Sequence, residues 1–226
     1  MGPPPIPHNT AAILSLLPIP TPSYGSGGIF TAACSTRIAA SPRQVLDIIR
    51  DVADYPAWNS FVRSVTIDAQ APCTPEADLP RLNLGTLFTL HVFMNASAPP
   101  TAAGRPTPEE LSVLEPINEP ADAGGAYPAR KGWRIAWRAR PTLLTPEWAL
   151  RCERVAELIE IVGADGADGA VETEYFNWET FYGVLPPVVK LAVGGKVADG
   201  LGRSMRELKR RTEGLATGRG EWIGML

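Results

Sequence analysis

Apart from one short stretch, in which Val45, Leu46, Ile49 and Val52 recur at helical spacing, the period of the apolar residues changes near residue 184. Upstream, apolar and polar residues alternate over short stretches: between residues 84 and 95, Phe88, Leu90, Val92 and Met94 occupy every second position. A period of two is typical of strands with one buried face. Downstream, as far as residue 213, apolar residues recur every three or four positions, apart from one double step across Gly195. The pattern predicts a series of strands followed by one long helix.

Proline, glycine and capping residues set the boundaries of these elements. Ser41 and Pro42 predict the start of a first helix, because serine caps helix N-termini and proline suits the first turn. Strands in series favour an antiparallel sheet, on which the long helix must bury its apolar stripe. The stretch 148–161 fits both periods poorly and is assigned as a strand from its position between two loops. The predicted strands cover 29–39, 61–69, 84–95, 110–119, 131–140, 148–161 and 171–182, and the long helix covers 184–213.

The proline-rich start of the chain contrasts with this patterned region. Residues 1–28 end in a Gly-Ser-Gly-Gly run, and such composition favours an extended arm, either disordered or laid on the domain surface. We therefore predict an arm at 1–28, one folded domain at 29–213 and a tail at 214–226.

The composition argues against several classes of function. The net charge is −3, so no excess of Lys and Arg points to nucleic acid. No apolar stretch approaches the length needed to span a bilayer, and we expect a cytoplasmic protein without stable membrane insertion. Three Cys and two His do not form a metal-ligand or disulfide pattern, and phosphate-loop and dinucleotide motifs are missing. We expect no metal and no cofactor, and the oligomeric state stays open.

Several short motifs resemble one superfamily. The segment Tyr55-Pro56-Ala57-Trp58-Asn59 follows the first helix, and Glu153-Arg154-Val155 and Trp178-Glu179-Thr180-Phe181 lie in the last strands. These motifs are similar to those of the START, Bet v 1 and polyketide cyclase superfamily, also called SRPBCC, and particularly to its fungal members. The resemblance runs from about residue 30 to about residue 213. It implies an α+β helix-grip fold, in which a curved antiparallel sheet of about seven strands wraps around a long C-terminal helix and encloses a hydrophobic cavity.

The resemblance also implies a small-molecule site on the inner face of the sheet. Aromatic and aliphatic walls suit flat aromatic or polyene ligands. Tyr55, Trp58 and Asn59 are expected near the pocket entrance, where they recognise the ligand or simply complete the core. The predicted wall residues, each of which could equally be a plain core residue, are Phe88, Leu90, Met94, Trp133, Trp137 and Phe181.

Polar residues on the seventh predicted strand supply candidate chemistry. Tyr175, Asn177 and Glu179 share their parity with Phe181 and therefore face inward with it. A carboxylate beside aromatic rings has its pKa raised by desolvation and can exchange a proton near neutral pH. We predict Glu179 as a base, with Asn177, Tyr175 or Arg154 as donors to an enolate oxygen. The alternative is a structural ion pair between Glu179 and Arg154.

Other polar residues have weaker claims. The parity of His91 places it on the outer face of its strand. Arg134, Arg138 and Arg140 are expected to form a solvated face or to anchor an anionic ligand group.

Three function classes remain open. The first is a cofactor-free cyclase, dehydratase or isomerase acting on a polyketide- or terpenoid-like compound of secondary metabolism. The second is a carrier of a lipid, quinone or pigment. The third is a protein-interaction module that uses the basic residues between Arg203 and Arg211. The alternative is that these positive charges only stabilise the C-terminal end of the helix through its dipole.

Overall fold

A computed structural model describes residues 3–15, 17–72, 74–78, 80–99, 101–121, 128–143, 145–162 and 171–216. The strands are β1 (Ile13–Ser15), β2 (Phe30–Ile38), β3 (Val62–Ala69), β4 (Leu87–Val92), β5 (Arg105–Glu119), β6 (Arg130–Ala139), β7 (Arg151–Val162) and β8 (Val171–Tyr182). The helices are α1 (Pro42–Arg50), α2 (Tyr55–Trp58) and α3 (Pro186–Ala216), with short 3-10 turns at Val52–Asp54 and Glu76–Asp78.

All eight strands form one curved antiparallel sheet in the order β1-β2-β8-β7-β6-β5-β4-β3. Strand β2 pairs with β8, which follows it by more than 130 residues, so the first long strand and the last lie side by side. Helix α3 packs mainly against β2, and α1 and α2 fill the remaining space on the same face. This architecture confirms the predicted helix-grip fold.

The start of α1 follows the predicted capping chemistry. The Ser41 hydroxyl accepts a hydrogen bond from the Gln44 backbone N–H, and the Gln44 side chain accepts one from the Ser41 backbone N–H. This reciprocal arrangement satisfies two N–H groups that a helix start leaves unpaired. After α1, the short helix α2 carries Tyr55 and Trp58 to the inner side of the sheet, where they meet edge to face.

The inner face carries the main core. Phe88, Leu90 and Val92 of β4 are buried in it, as their alternation predicts, while Met94 is half-buried at its edge. From α3, Leu201 and Leu208 enter the same core. In this part of α3, glycine is needed for close approach, because a Cβ at Gly200 would lie 2.2 Å from the Phe61 ring.

The outer face carries a second core, and the N-terminal arm covers part of it. Ile6 and Ile19 are buried there against Trp178. The arm also contributes β1, which extends the sheet beyond β2 and was not predicted from the sequence. The β5 strand also begins earlier than expected, at Arg105. Its pairing with β4 extends as far as Arg105, which lies opposite Val92, despite Pro106 and Pro108.

One expectation for the outer face is wrong. Arg134 is 7% exposed and does not form part of a solvated face. Its guanidinium donates to Glu157, from Nε over 2.9 Å and from Nη2 over 2.7 Å, and Arg130 contacts the other oxygen of the same carboxylate. Charged groups can lie this deep only when they are paired and hydrogen-bonded. Arg138 and Arg140 remain partly exposed in ion pairs with Glu110 and Asp68.

No helix among the described residues is both long and apolar enough to cross a bilayer.

Candidate functional site

A cavity of about 30 Å³ lies between the inner face of the sheet and the three helices. This volume is enough for a water-sized molecule. The cavity has α1 and α2 on one side and α3 on the other. Residues of β3, β4, β6, β7 and β8 form its floor. Its walls are formed by Ile49, Tyr55, Trp58, Asn59, Val62, Leu82, Phe88, Leu90, Trp137, Arg154, Tyr175, Ser204 and Leu208.

Eight of the thirteen predicted site residues line this cavity. They are Tyr55, Trp58, Asn59, Phe88, Leu90, Trp137, Arg154 and Tyr175. Three predicted wall residues lie elsewhere. Phe181 stacks on Phe30 with ring centroids 4.5 Å apart, Trp133 is half-buried with Arg43 over its ring, and Met94 packs at the edge of the core. The remaining two, Asn177 and Glu179, lie beside the cavity on β8.

The three predicted entrance residues differ in the hydrogen bonds of their side chains. The Tyr55 hydroxyl donates to the Ile49 carbonyl over 2.8 Å. The Asn59 side-chain oxygen accepts from the backbone N–H groups of Phe61 and Val62, so Asn59 shapes the chain before β3. The Trp58 indole N–H is buried and has no hydrogen-bond partner in the described part of the chain. Trp58 is therefore the entrance residue with an unused donor.

Arg154 places a permanent positive charge against the apolar wall. Its Nε donates to Asn177 Oδ1 over 3.1 Å, and its guanidinium carbon lies 5.3 Å from the centre of the Trp137 ring. Asn177 in turn donates to the Val155 carbonyl over 3.2 Å. Because both ends of the Asn177 amide are engaged, Asn177 orients Arg154 and is not free to contact a ligand.

Glu179 stands directly opposite Arg154 in the pairing of β7 with β8. No ion pair within 4.0 Å joins Arg154 to a carboxylate of the described residues, so the alternative of a tight Glu179–Arg154 pair is not realised. Burial raises the pKa of the Glu179 carboxyl group, although the residue as a whole keeps some solvent exposure, and the Arg154 charge opposes that rise. The predicted inward-facing carboxyl group is therefore present and desolvated.

Glu109 on β5 is a second inner-face carboxyl group, which sequence reasoning missed. It is 5% exposed, and its carboxyl group has no hydrogen bond or ion pair with any of the residues that the structure describes. Burial raises its pKa well above the usual range, and the neighbouring Glu179 charge adds to the rise. The available signal was parity: Glu109 precedes the inward-facing Leu111 by two positions, but the prolines around it suggested a loop.

The tyrosine and the thiols of the site are held in their neutral forms. Burial raises the pKa of Tyr175, and the Arg154 charge opposes the rise. Burial also raises the pKa of Cys34 to about 12, and that of Cys152 well above its usual range. Tyr175 can therefore act as a hydrogen-bond donor, whereas neither thiol is activated as a nucleophile.

The remaining candidates lie outside this site. His91 is on the outer face, within 3.2 Å of the Thr66 hydroxyl. Several residues of the basic run on α3 bind their own chain, since Arg203 donates to the Phe93 carbonyl and Arg211 pairs with Asp54. Across the described ranges, no group of three acidic, His or Cys residues could hold a metal ion. Cys73 lies outside the described residues.

Comparison with known proteins identifies a relative. The protein named oxopyrrolidines biosynthesis cluster protein O, from Penicillium oxalicum, is 31% identical over 166 residues, which cover 74% of this chain and 78% of that protein. The chain belongs to the same family as this fungal protein. No protein-family model matches this chain.

Solved structures with a similar chain path include two bacterial proteins. A hypothetical protein of Helicobacter pylori has 14% sequence identity and a TM-score of 0.49, with 80% of this chain and 86% of that one covered. A START superfamily protein of Mycobacterium smegmatis has 17% identity and a TM-score of 0.48, with coverages of 82% and 98%.

Proposed function

We propose that the protein binds an apolar small molecule of secondary metabolism on the inner face of the sheet and catalyses a cofactor-free proton transfer on it. A carbonyl compound of polyketide or terpenoid type, undergoing cyclisation, dehydration or isomerisation, fits the chemistry. The relative's name, which refers to a biosynthesis cluster, supports the biosynthetic setting. The SRPBCC-like motifs and the helix-grip fold support the mode of binding.

The observation that carries the proposal is the desolvated Glu179 carboxyl group opposite Arg154, at the edge of an apolar wall. A carboxylate whose pKa is raised by burial is a stronger base than one in water and can remove a proton next to a carbonyl group. Arg154 and Tyr175 line the cavity and would donate to the oxygen on which negative charge develops. Asn177 would keep Arg154 in position.

A ligand larger than a few atoms requires this cavity of about 30 Å³ to widen. In the first turns of α3, Val188 and Leu191 are 62% and 91% exposed, so these side chains do not hold the helix on the core. We expect these turns to move when a ligand enters, and hydrogen exchange of 186–195 would measure the change.

The test compares Glu179→Gln with the wild type and with Glu172→Gln. Glu172 lies on the same strand but on the outer face, so it controls for the substitution itself. Each protein is incubated with an organic extract of a fungal culture and examined by native mass spectrometry, and the extract is profiled before and after. We expect the wild type and Glu172→Gln to retain and convert a compound, whereas Glu179→Gln retains it unchanged.

Two outcomes would contradict the proposal. If Glu179→Gln converts the compound as fast as the wild type, Glu179 is not the base. If a compound is retained but no protein converts it, the protein is a carrier, a role that the largely apolar cavity wall also suits.

A further inference from the structure

We propose that Glu109 is a second catalytic residue, a proton donor that works with Glu179, and that the reaction therefore eliminates water from a β-hydroxycarbonyl compound. This inference rests on the proposed function and specifies its chemistry. It follows from the placement of two desolvated carboxyl groups whose surroundings differ.

Strand pairing brings the two carboxyl groups towards the same region of the inner face. Glu109 pairs with Ala139 of β6. Because Arg138 pairs with Glu153 in the antiparallel β6–β7 ladder, Ala139 lies next to Cys152. Cys152 pairs with Phe181, which lies two positions from Glu179 on β8, and the row thus runs from β5 to β8.

The two carboxyl groups have different neighbours. Glu179 stands opposite the Arg154 cation, whose charge favours the ionised form of Glu179. Glu109 has neither a hydrogen bond nor an ion pair in the described ranges, although Arg154 and Arg140 attract its charge from a greater distance. Burial and the negative charge of Glu179 both raise the pKa of Glu109, so Glu109 is the member of the pair that we expect to carry a proton. Two carboxyl groups with unequal proton affinity provide an acid and a base in one site.

The pair also adjoins the cavity. Glu109 pairs with Phe88, and Glu179 pairs with Arg154, and both of these neighbours line the cavity. A ligand carbonyl held by Arg154 would thus have a base on the β8 side and a proton donor on the β5 side.

The substrate and the two carboxyl groups together account for every proton and electron pair of the elimination. The Glu179 carboxylate takes the proton from the carbon next to the carbonyl group, and the electron pair of that C–H bond shifts towards the carbonyl oxygen, which gives an enolate beside Arg154. When the carbonyl group re-forms, the electron pair makes the C=C bond of the enone, the C–O bond to the β-hydroxyl group breaks, and this oxygen leaves as water with the proton of Glu109. Glu179 is then protonated and Glu109 ionised, so one proton must return from Glu179 to Glu109, through Cys152 or solvent, before the next turnover. No oxidant, reductant or cofactor is consumed.

The experiment separates the two proton transfers. The probe is the aldol adduct of benzaldehyde and acetone in D₂O, with deuterium uptake next to the carbonyl group followed by NMR and water loss followed by the absorbance of the conjugated enone. In Glu109→Gln we expect uptake to continue while dehydration falls at least about 100-fold, the effect typical of losing a positioned acid. In Glu179→Gln we expect both to be lost. Glu110→Gln, which changes the adjacent outer-face residue paired with Arg138, should behave as the wild type.

Infrared spectroscopy of the full chain provides a readout that does not depend on turnover. We expect a protonated-carboxyl band at neutral pH that Glu109→Gln removes and Glu110→Gln retains. Dehydration at the wild-type rate by Glu109→Gln, or the absence of this band, would overturn the assignment of Glu109. A wild type that takes up deuterium but releases no water would also overturn it, while Glu179 stays as the base. A wild type that does neither would contradict the proposed function itself.

Discussion

The Nε atom of Arg154 donates to Oδ1 of Asn177 across the β7–β8 ladder, over 3.1 Å. This bond fixes a cation on the apolar side of the sheet, within 5.3 Å of the Trp137 ring. Asn177 is fully buried, so this bond lies away from bulk solvent. The amide group of Asn177 therefore helps to set the position of the charge in the site.

Replacing Asn177 with Leu, which is similar in size, should lower the free energy of unfolding by about 1–3 kcal/mol, because the buried Arg154 N–H loses its acceptor. In an Arg154→Met background the same replacement should cost less, since no donor is then left unpaired. Urea denaturation of the two single variants and the double variant measures the coupling. Strictly additive effects would show that the bond does not stabilise the fold.

The raised pKa of Glu109 predicts a pH-dependent stability. An unfolded chain releases the Glu109 proton near the ordinary glutamate pKa of 4.5, whereas the folded chain holds it to higher pH. The folded state therefore binds more protons between these two values, and its stability falls as the pH rises through this window. Glu109→Gln removes this loss, so its stability relative to the wild type should increase by up to about 1.4 kcal/mol per pH unit above pH 4.5. Denaturation of both proteins from pH 5 to pH 8 tests this, and parallel curves would contradict it.

Helix α3 offers a matched pair of glycines. A Cβ at Gly200 would lie 2.2 Å from the Phe61 ring, whereas a Cβ at Gly195 meets no atom within 4 Å. Gly200→Ala should therefore destabilise the fold by about 1–3 kcal/mol through overpacking. Gly195→Ala should stabilise it by up to about 1 kcal/mol, because alanine favours helix. Thermal unfolding of both variants checks the contrast, which fails if the two midpoints shift in the same direction.

The N-terminal arm should contribute to stability through its buried side chains. Ile19 is 6% exposed in the outer core, whereas Leu17, two positions earlier, is 84% exposed. We expect Ile19→Ala to lower the free energy of unfolding by about 2–5 kcal/mol. Leu17→Ala is the control and should change it by less than about 0.5 kcal/mol. An equal, small effect of both replacements would mean that the arm detaches from the sheet without cost.

Local chemistry in the sequence determined most of the secondary structure. Alternation in β4 and β8, the capping residues before α1 and the helical period of α3 are all short-range signals, because side-chain direction repeats every two residues in a strand and every 3.6 in a helix. The inward parity of Tyr175, Asn177 and Glu179 followed from the same rule. Proline content gave the wrong impression at the start of β5 and gave no sign of β1 in the arm, since proline excludes a backbone donor but does not prevent edge pairing or packing.

Only the tertiary structure decided which of these side chains meet. The pairing of β2 with β8, the burial of Arg134 under Glu157 and the arm on the outer face depend on contacts between distant parts of the chain. The same holds for Glu109, whose parity was available but whose relation to Cys152 and Glu179 requires the order of four strands. A sequence period specifies the face on which a residue lies. The neighbours across that face, and with them the charge and solvation of a carboxyl group, are set by strand order and register.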